Sequence, residues 1–196
     1  MTYLPEFFSL LKVFSNIYRT CIEHVIISVK VGVWMLQHEY GWVRQTRGTL
    51  LDFCGKVDSN HFTQTNGFGW QSVRDTLVHI ADCYVAWLGS FVLLKTNKPL
   101  TPREELHNLS LEEIISRFDQ VDSIVNELIE QHGHKLNVPI EREIPWREAS
   151  ELVTISPGKL LMHTITHEFH HKGQIVAMLR QMGYEPPNTD VLGTED

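Results

Sequence analysis

From Met35 onward, apolar side chains return every three or four positions along the 196-residue chain, with glycine, proline and polar clusters between the runs. That period puts one face of each run against a core and predicts amphipathic helices. Four long ones are expected. The first spans about Met35 to Cys54, with Leu36, Tyr40, Val43, Leu50 and Phe53 on its stripe, and stops near Gly55. After a loop holding Asp58, Ser59, Asn60, Asn66, Gly67 and Gly69, a second is expected from about Gln71 to Lys95, on Val73, Leu77, Ile80, Tyr84, Trp87 and Phe91. Pro99 and Pro102 break the pattern. Ser110 and Glu113 then have the spacing of a capping box, which starts a third helix on Leu111, Ile114, Phe118, Val121, Val125 and Leu128; it runs to about Gln131 and Gly133 closes it. Leu136 to Ile155, interrupted by Pro139 and Pro145, reads as extended chain or a short hairpin. Ser156 and Pro157 supply an N-cap and a first-turn proline for the fourth helix, which runs to Met182 before Gly183, and the tail Glu185 to Asp196 is turn-rich. The fold class is all-α, a four-helix bundle with a short extended segment before the last helix, in one domain over residues 35–196.

Residues 1–34 fit this plan poorly, being apolar around most of the helical circumference and lacking a clear cap. They read either as an extra helix packed on the bundle or as a stretch upstream of a natural start at Met35. Lys12, Arg19, Glu23 and Lys30 interrupt them, so no run approaches the roughly 20 apolar residues that span a bilayer, and no membrane segment or signal peptide is expected.

A formal net charge of -7 argues against nucleic acid as the main partner, since phosphate binding rests on Lys and Arg. Cys21, Cys54 and Cys83 are odd in number, widely spaced and lack a C-x-x-C pairing, which points away from disulfides and thiolate zinc and toward a reducing, cytoplasmic setting. Eleven histidines are many for this length, and His163, His167, His170 and His171 cluster in the fourth helix.

Residues four apart on a helix are offset by about 40° and about 6 Å of rise, so His163, His167 and His171 form a ladder on one side. His167 and His171 lie near the centre of the stripe with Leu160, Thr164, Gln174, Ile175 and Met178, and His163 and His170 toward an edge. Polar rings there need partners, because an unpaired buried imidazole costs about 1–3 kcal/mol. Two imidazoles at i and i+4 can converge on a divalent ion. His79, in the middle of the second helix among Thr76, Cys83, Ala86 and Ser90, is the candidate third ligand. Three neutral imidazoles would leave the ion its full charge and open positions for water or substrate. The blander reading, core or surface histidines satisfied by neighbours, stands beside this one for each ring. The pair His167 and His171 has one residue too many between its members for H-E-x-x-H, which disfavours a peptidase of that type. Glu168 is either solvated or orients a ligand; Cys83 is either a fourth ligand or a packed thiol; Gln174, beside His171, is the candidate second contact to a ligand or substrate. The five tryptophans read as core or interface aromatics.

The segment Trp70-Gln71-Ser72-Val73-Arg74-Asp75-Thr76-Leu77-Val78-His79-Ile80-Ala81-Asp82 resembles the start of the second helix in the DinB/YfiT-like superfamily of metal-binding bundles. His163-Thr164-Ile165-Thr166-His167-Glu168-Phe169-His170-His171-Lys172-Gly173-Gln174-Ile175 resembles that family's histidine segment ending in H-[RK]-G-Q, and the stretch from Leu179 to Pro187 resembles its helix end. The likeness covers about Met35 to Asp190. It implies a four-helix bundle of that type, frequently a homodimer, holding one divalent metal ion, zinc, nickel or similar, by His79, His167 and His171. Lys172 stands where the family often has arginine, which keeps the charge and loses the planar fork. Related members include thiol-dependent S-transferases and a thiol-dependent isomerase, so the resemblance implies a metal-dependent enzyme acting on a small molecule, with a low-molecular-weight thiol as one substrate. A non-catalytic metal-binding stress protein is the alternative. A metal-dependent hydrolase is the second, with Asp82 and Glu168 as the nearest candidate bases.

Overall fold

The computed structural model describes residues 36–149 and 151–196, so both readings of residues 1–34 fall outside the described residues. The first helix, α1, covers residues 36–54, and after it come α2 (Ser59–Thr63), α3 (Val73–Tyr84), α4 (Arg103–Leu106), α5 (Leu111–His132) and α6 (Pro157–Gln181). The four long helices α1, α3, α5 and α6 are the four that the periodicity predicts, and the described residues are all-α apart from one small hairpin. Among the described residues, no helix is long and apolar enough to cross a membrane.

The helix starts follow local chemistry. Ser72, Ser110 and Ser156 each sit in extended backbone and accept a hydrogen bond from the N–H three residues on, which satisfies one of the orphan donors of a first turn. At α5 the bond is reciprocated, with Glu113 accepting from the Ser110 N–H at 2.8 Å. Pro157 occupies the first turn of α6, where its missing N–H costs nothing.

Four elements differ from expectation. The second helix is not α-helical to Lys95: α3 widens into a π-helical stretch, Val85–Val92, in which the Leu93 N–H reaches Leu88 O at 3.0 Å, five residues back. A stripe of apolar residues looks the same through one such turn, so periodicity cannot mark it. Gly133 does not end α5 in a left-handed conformation (φ -51°) but opens a 3₁₀ turn, Gly133–Lys135. The loop after α1 and the proline-flanked connection each hold a short helix, α2 and α4.

The segment before α6 is a hairpin of β1 (Ile140–Arg142) and β2 (Val153–Ile155), antiparallel with Ile140 opposite Ile155. Arg142 fastens it to the π-helical stretch by donating from Nη1 to Phe91 O at 2.7 Å. The core between the long helices is filled by Leu77, Ile80, Tyr84, Leu88 and Phe91 from α3 and its extension, Ile114, Leu128 and Ile129 from α5, and Ile175 and Met178 from α6. Helix α3 packs against α6, and that pairing brings the candidate histidines together.

Candidate metal centre

His79 lies in the middle of α3, and His167 and His171 lie one turn apart on α6. Across the α3–α6 contact, His167 Nε2 stands 3.1 Å from His79 Nε2 and 3.1 Å from His171 Nε2. One nitrogen from each ring falls within 4.8 Å of the other two, and this is the group of histidine, cysteine or acidic side chains, among the described residues, that could hold a metal ion. His163 and His170 stay outside it: His163 Nε2 faces Cys83 Sγ at 3.8 Å, and His170 Nε2 meets Gln174 Nε2 at 3.1 Å. Cys83 is buried and lies beside His163 rather than among the three nitrogens, and burial, followed by the nearby Asp82 charge, pushes its thiol up to about 12.

Protonation favours ligation. Burial lowers His79 to about 4, with a further push from His171, and burial with the neighbouring histidines lowers His167 to about 3. His171 is lowered too, mainly by burial and against its bond to Gln174. All three rings are therefore neutral at pH 7. Gln174 Oε1 lies 2.7 Å from His171 Nδ1. An amide oxygen only accepts, so His171 Nδ1 carries the proton and its Nε2 presents a lone pair toward His167.

Hydrogen bonds alone account poorly for this cluster. A neutral imidazole nitrogen holds either one proton or one lone pair, yet His167 Nε2 faces two other ring nitrogens at the same distance. Its other nitrogen, Nδ1, is buried and is the buried side-chain nitrogen or oxygen without a hydrogen-bond partner among the described residues. Three ring nitrogens brought this close cannot all be satisfied by hydrogen bonds to one another, and a cation shared by their lone pairs supplies the missing interaction. The donor set, all imidazole, suits zinc, nickel and similar ions. The residues present therefore fit a divalent ion.

Around the cluster, the structure removes one of the two readings of Glu168. Glu168 is not solvated; it is fully buried and sits on the core side of α6, while His167 occupies the neighbouring, half-buried position. Arg47 of α1 donates to both Glu168 oxygens, from Nε at 3.1 Å and Nη2 at 2.9 Å, and Tyr84 Oη donates to Oε2 at 2.8 Å. Lys172 Nζ lies 3.5 Å from Oε1, hydrogen-bonds Thr46 Oγ1, and is lowered by burial to about 8. The same Arg47 donates from Nη1 to Asp122 of α5 at 2.6 Å, so one polar network joins α1, α3, α5 and α6 directly behind the histidines. Sequence reading missed Arg47, although it continues the Val43 and Leu50 stripe of α1 and so falls where an apolar side chain is expected. Trp70, read as a core or interface aromatic, lies outside the core. It is 51% exposed and stacks flat on His79, with ring centroids 4.0 Å apart.

Both carboxylates considered as hydrolytic bases are committed elsewhere. Asp82 accepts from Thr101 N at 2.7 Å and Thr101 Oγ1 at 2.8 Å and pairs with Arg117 at 3.3 Å, and Glu168 is held as described. That weighs against water activation by either.

A helical bundle that converges three neutral imidazoles from two helices on one point defines a class: bundle proteins with a three-histidine group able to hold a metal ion. The DinB family model matches residues 29–196, and the chain belongs to the DinB family. It is 24% identical over 163 residues to the uncharacterized protein YizA of Bacillus subtilis (strain 168), which covers 79% of this chain and 91% of that protein. It is 27% identical over 122 residues to protein DinB of the same organism, covering 61% of this chain and 69% of that one.

Proposed function

We propose that His79, His167 and His171 bind one divalent ion, zinc or nickel, and that the protein is a metal-dependent enzyme of the thiol S-transferase type. The observation that carries the reading is the meeting of three neutral ring nitrogens beside an open cavity. Bound there, the ion would supply a double positive charge unreduced by any carboxylate ligand, and that charge lowers the pKa of a thiol presented to it.

The chain's own residues prepare the site. Gln174 fixes the His171 tautomer and ring direction. The Trp70 indole lies on His79 and screens that ring from water. The Arg47 and Glu168 network holds α6 against α1, α3 and α5, so that His167 and His171 keep their facing to His79. In the reaction, the thiol proton passes to solvent, sulfur forms a bond to an electrophilic carbon, and the leaving group departs with its electron pair. The finer parts of the reading are a homodimer and a reducing, cytoplasmic setting. Free Cys54 and Cys83 support the second, and the exposed apolar Val138 and Met162, which line a groove of about 580 Å³, support the first.

The test is metal-dependent consumption of a low-molecular-weight thiol against 1-chloro-2,4-dinitrobenzene, with chelated and zinc- or nickel-loaded protein. Loss of turnover on chelation and in His167→Ala with His171→Ala is expected; full activity in that double variant would overturn the reading. The engaged state of Asp82 and Glu168 favours a second reading, a non-catalytic metal-binding protein. On that reading metal raises the melting temperature while thiols and small anions leave the spectrum of a cobalt-substituted protein unchanged.

A further inference from the structure

Two of the three histidines border a cavity of about 530 Å³, a volume suited to a small organic molecule. His79 and His167 form part of its wall, so an occupant lies next to the ring nitrogens. Much of the remaining wall is indole. Trp70, Trp87 and Trp146 all line the cavity, and Trp87 and Trp146 meet edge to face at 5.2 Å, one from the π-helical extension of α3 and the other from the connection between β1 and β2. Two elements distant in sequence thus bring their largest aromatic side chains to one concave surface, which favours a flat apolar body.

The charges on the wall are not balanced. Asp75 and Asp82 line it, but Asp75 pairs with Arg74 at 3.0 Å and Asp82 is satisfied by Thr101 and Arg117. Arg103 and Arg147 also line it, are exposed, and make no ion pair among the described residues. Glu104, Glu105 and Glu148, their sequence neighbours, do not line the cavity. In a chain of net charge -7, two unpaired guanidinium groups beside an aromatic wall are a local exception, and a guanidinium fork matches a carboxylate.

We propose that this cavity binds a planar or aromatic carboxylate, with its ring among Trp70, Trp87 and Trp146 and its carboxylate at Arg103 and Arg147, and that one carrying a leaving group on the carbon attacked by sulfur is the electrophilic co-substrate of the thiol reaction. The assignment as co-substrate rests on the function proposed above; the binding of the acid does not.

The experiment is isothermal titration calorimetry of 2-naphthoate and its neutral isostere 2-naphthamide into the full chain, both zinc-loaded and chelated. The acid is expected to bind roughly tenfold more tightly than the amide in both states, as charge-assisted bonds are stronger than neutral ones. Arg103→Gln with Arg147→Gln should reduce the acid to the affinity of the amide, and Trp146→Ala should weaken both ligands. Equal binding of acid and amide by the wild-type chain would overturn the proposal. So would an acid preference untouched by the double arginine variant, or one that vanishes on chelation, since the ion would then be the anchor. An acid preference that survives chelation, in a protein whose thiol turnover fails, keeps the cavity assignment and rejects only the reaction.

Discussion

Gln174 shows how much one side chain settles at this site. Its oxygen accepts a hydrogen bond from His171 Nδ1 at 2.7 Å, and its nitrogen meets His170 Nε2 at 3.1 Å, so His171 is left with a lone pair toward its partners. Gly69 makes room for it: at φ +65° it adopts a conformation that L side chains rarely take, and an added Cβ would come within 3.0 Å of Gln174 Oε1. Gln174→Leu keeps the volume and removes the acceptor. Metal affinity, measured by competition with a chromophoric chelator, is expected to fall roughly 10- to 100-fold, the usual cost of losing such a partner. Unchanged affinity would mean that the bond does not orient the ring. The sequence places Gln174 beside His171 by helical spacing alone, but the direction of its amide depends on what packs around it.

At the scale of elements, helix starts were legible because a cap is local chemistry: a serine, the N–H three residues on, and in α5 a returning glutamate. The Glu113 carboxylate is held below its ordinary value of 4.5 first by its bond to the Ser110 backbone and then by the Ser110 side chain. A depressed carboxylate contributes stability that is present above its unfolded pKa and is lost as pH falls through the folded one. Glu113→Gln should therefore be less stable than wild type at pH 7, with the gap closing as pH falls below the ordinary carboxylate value of 4.5. Urea midpoints across that range check this, and a gap that stays constant with pH would show that the charge contributes nothing. The π-helical stretch, Val85–Val92, was not legible. It depends on how α3 meets α5, where Gly89 lies so close to Ile124 that an added Cβ would stand 3.1 Å from Cδ1.

Across the whole molecule, the polar network around Arg47 joins α1, α3, α5 and α6 through Asp122, Tyr84 and Glu168. Burying these charges is tolerable because each is paired, and removal of one partner strands the others. Glu168→Ala should lower stability by about 3–5 kcal/mol, read from urea unfolding. Loss of less than about 1 kcal/mol would show that water reaches the network. The amino-acid sequence by itself determined the four long helices, the serine caps of α5 and α6 and the histidine ladder, since periodicity, capping and i, i+4 spacing are properties of neighbours along one chain. It also carried the family likeness. Only the tertiary structure decided that Glu168 is buried against Arg47 rather than solvated, that Trp70 lies on His79, and that indoles and guanidinium groups from separate segments share one cavity with the histidines. Those are contacts between residues far apart in the chain, and nothing in local spacing specifies which side chains will meet.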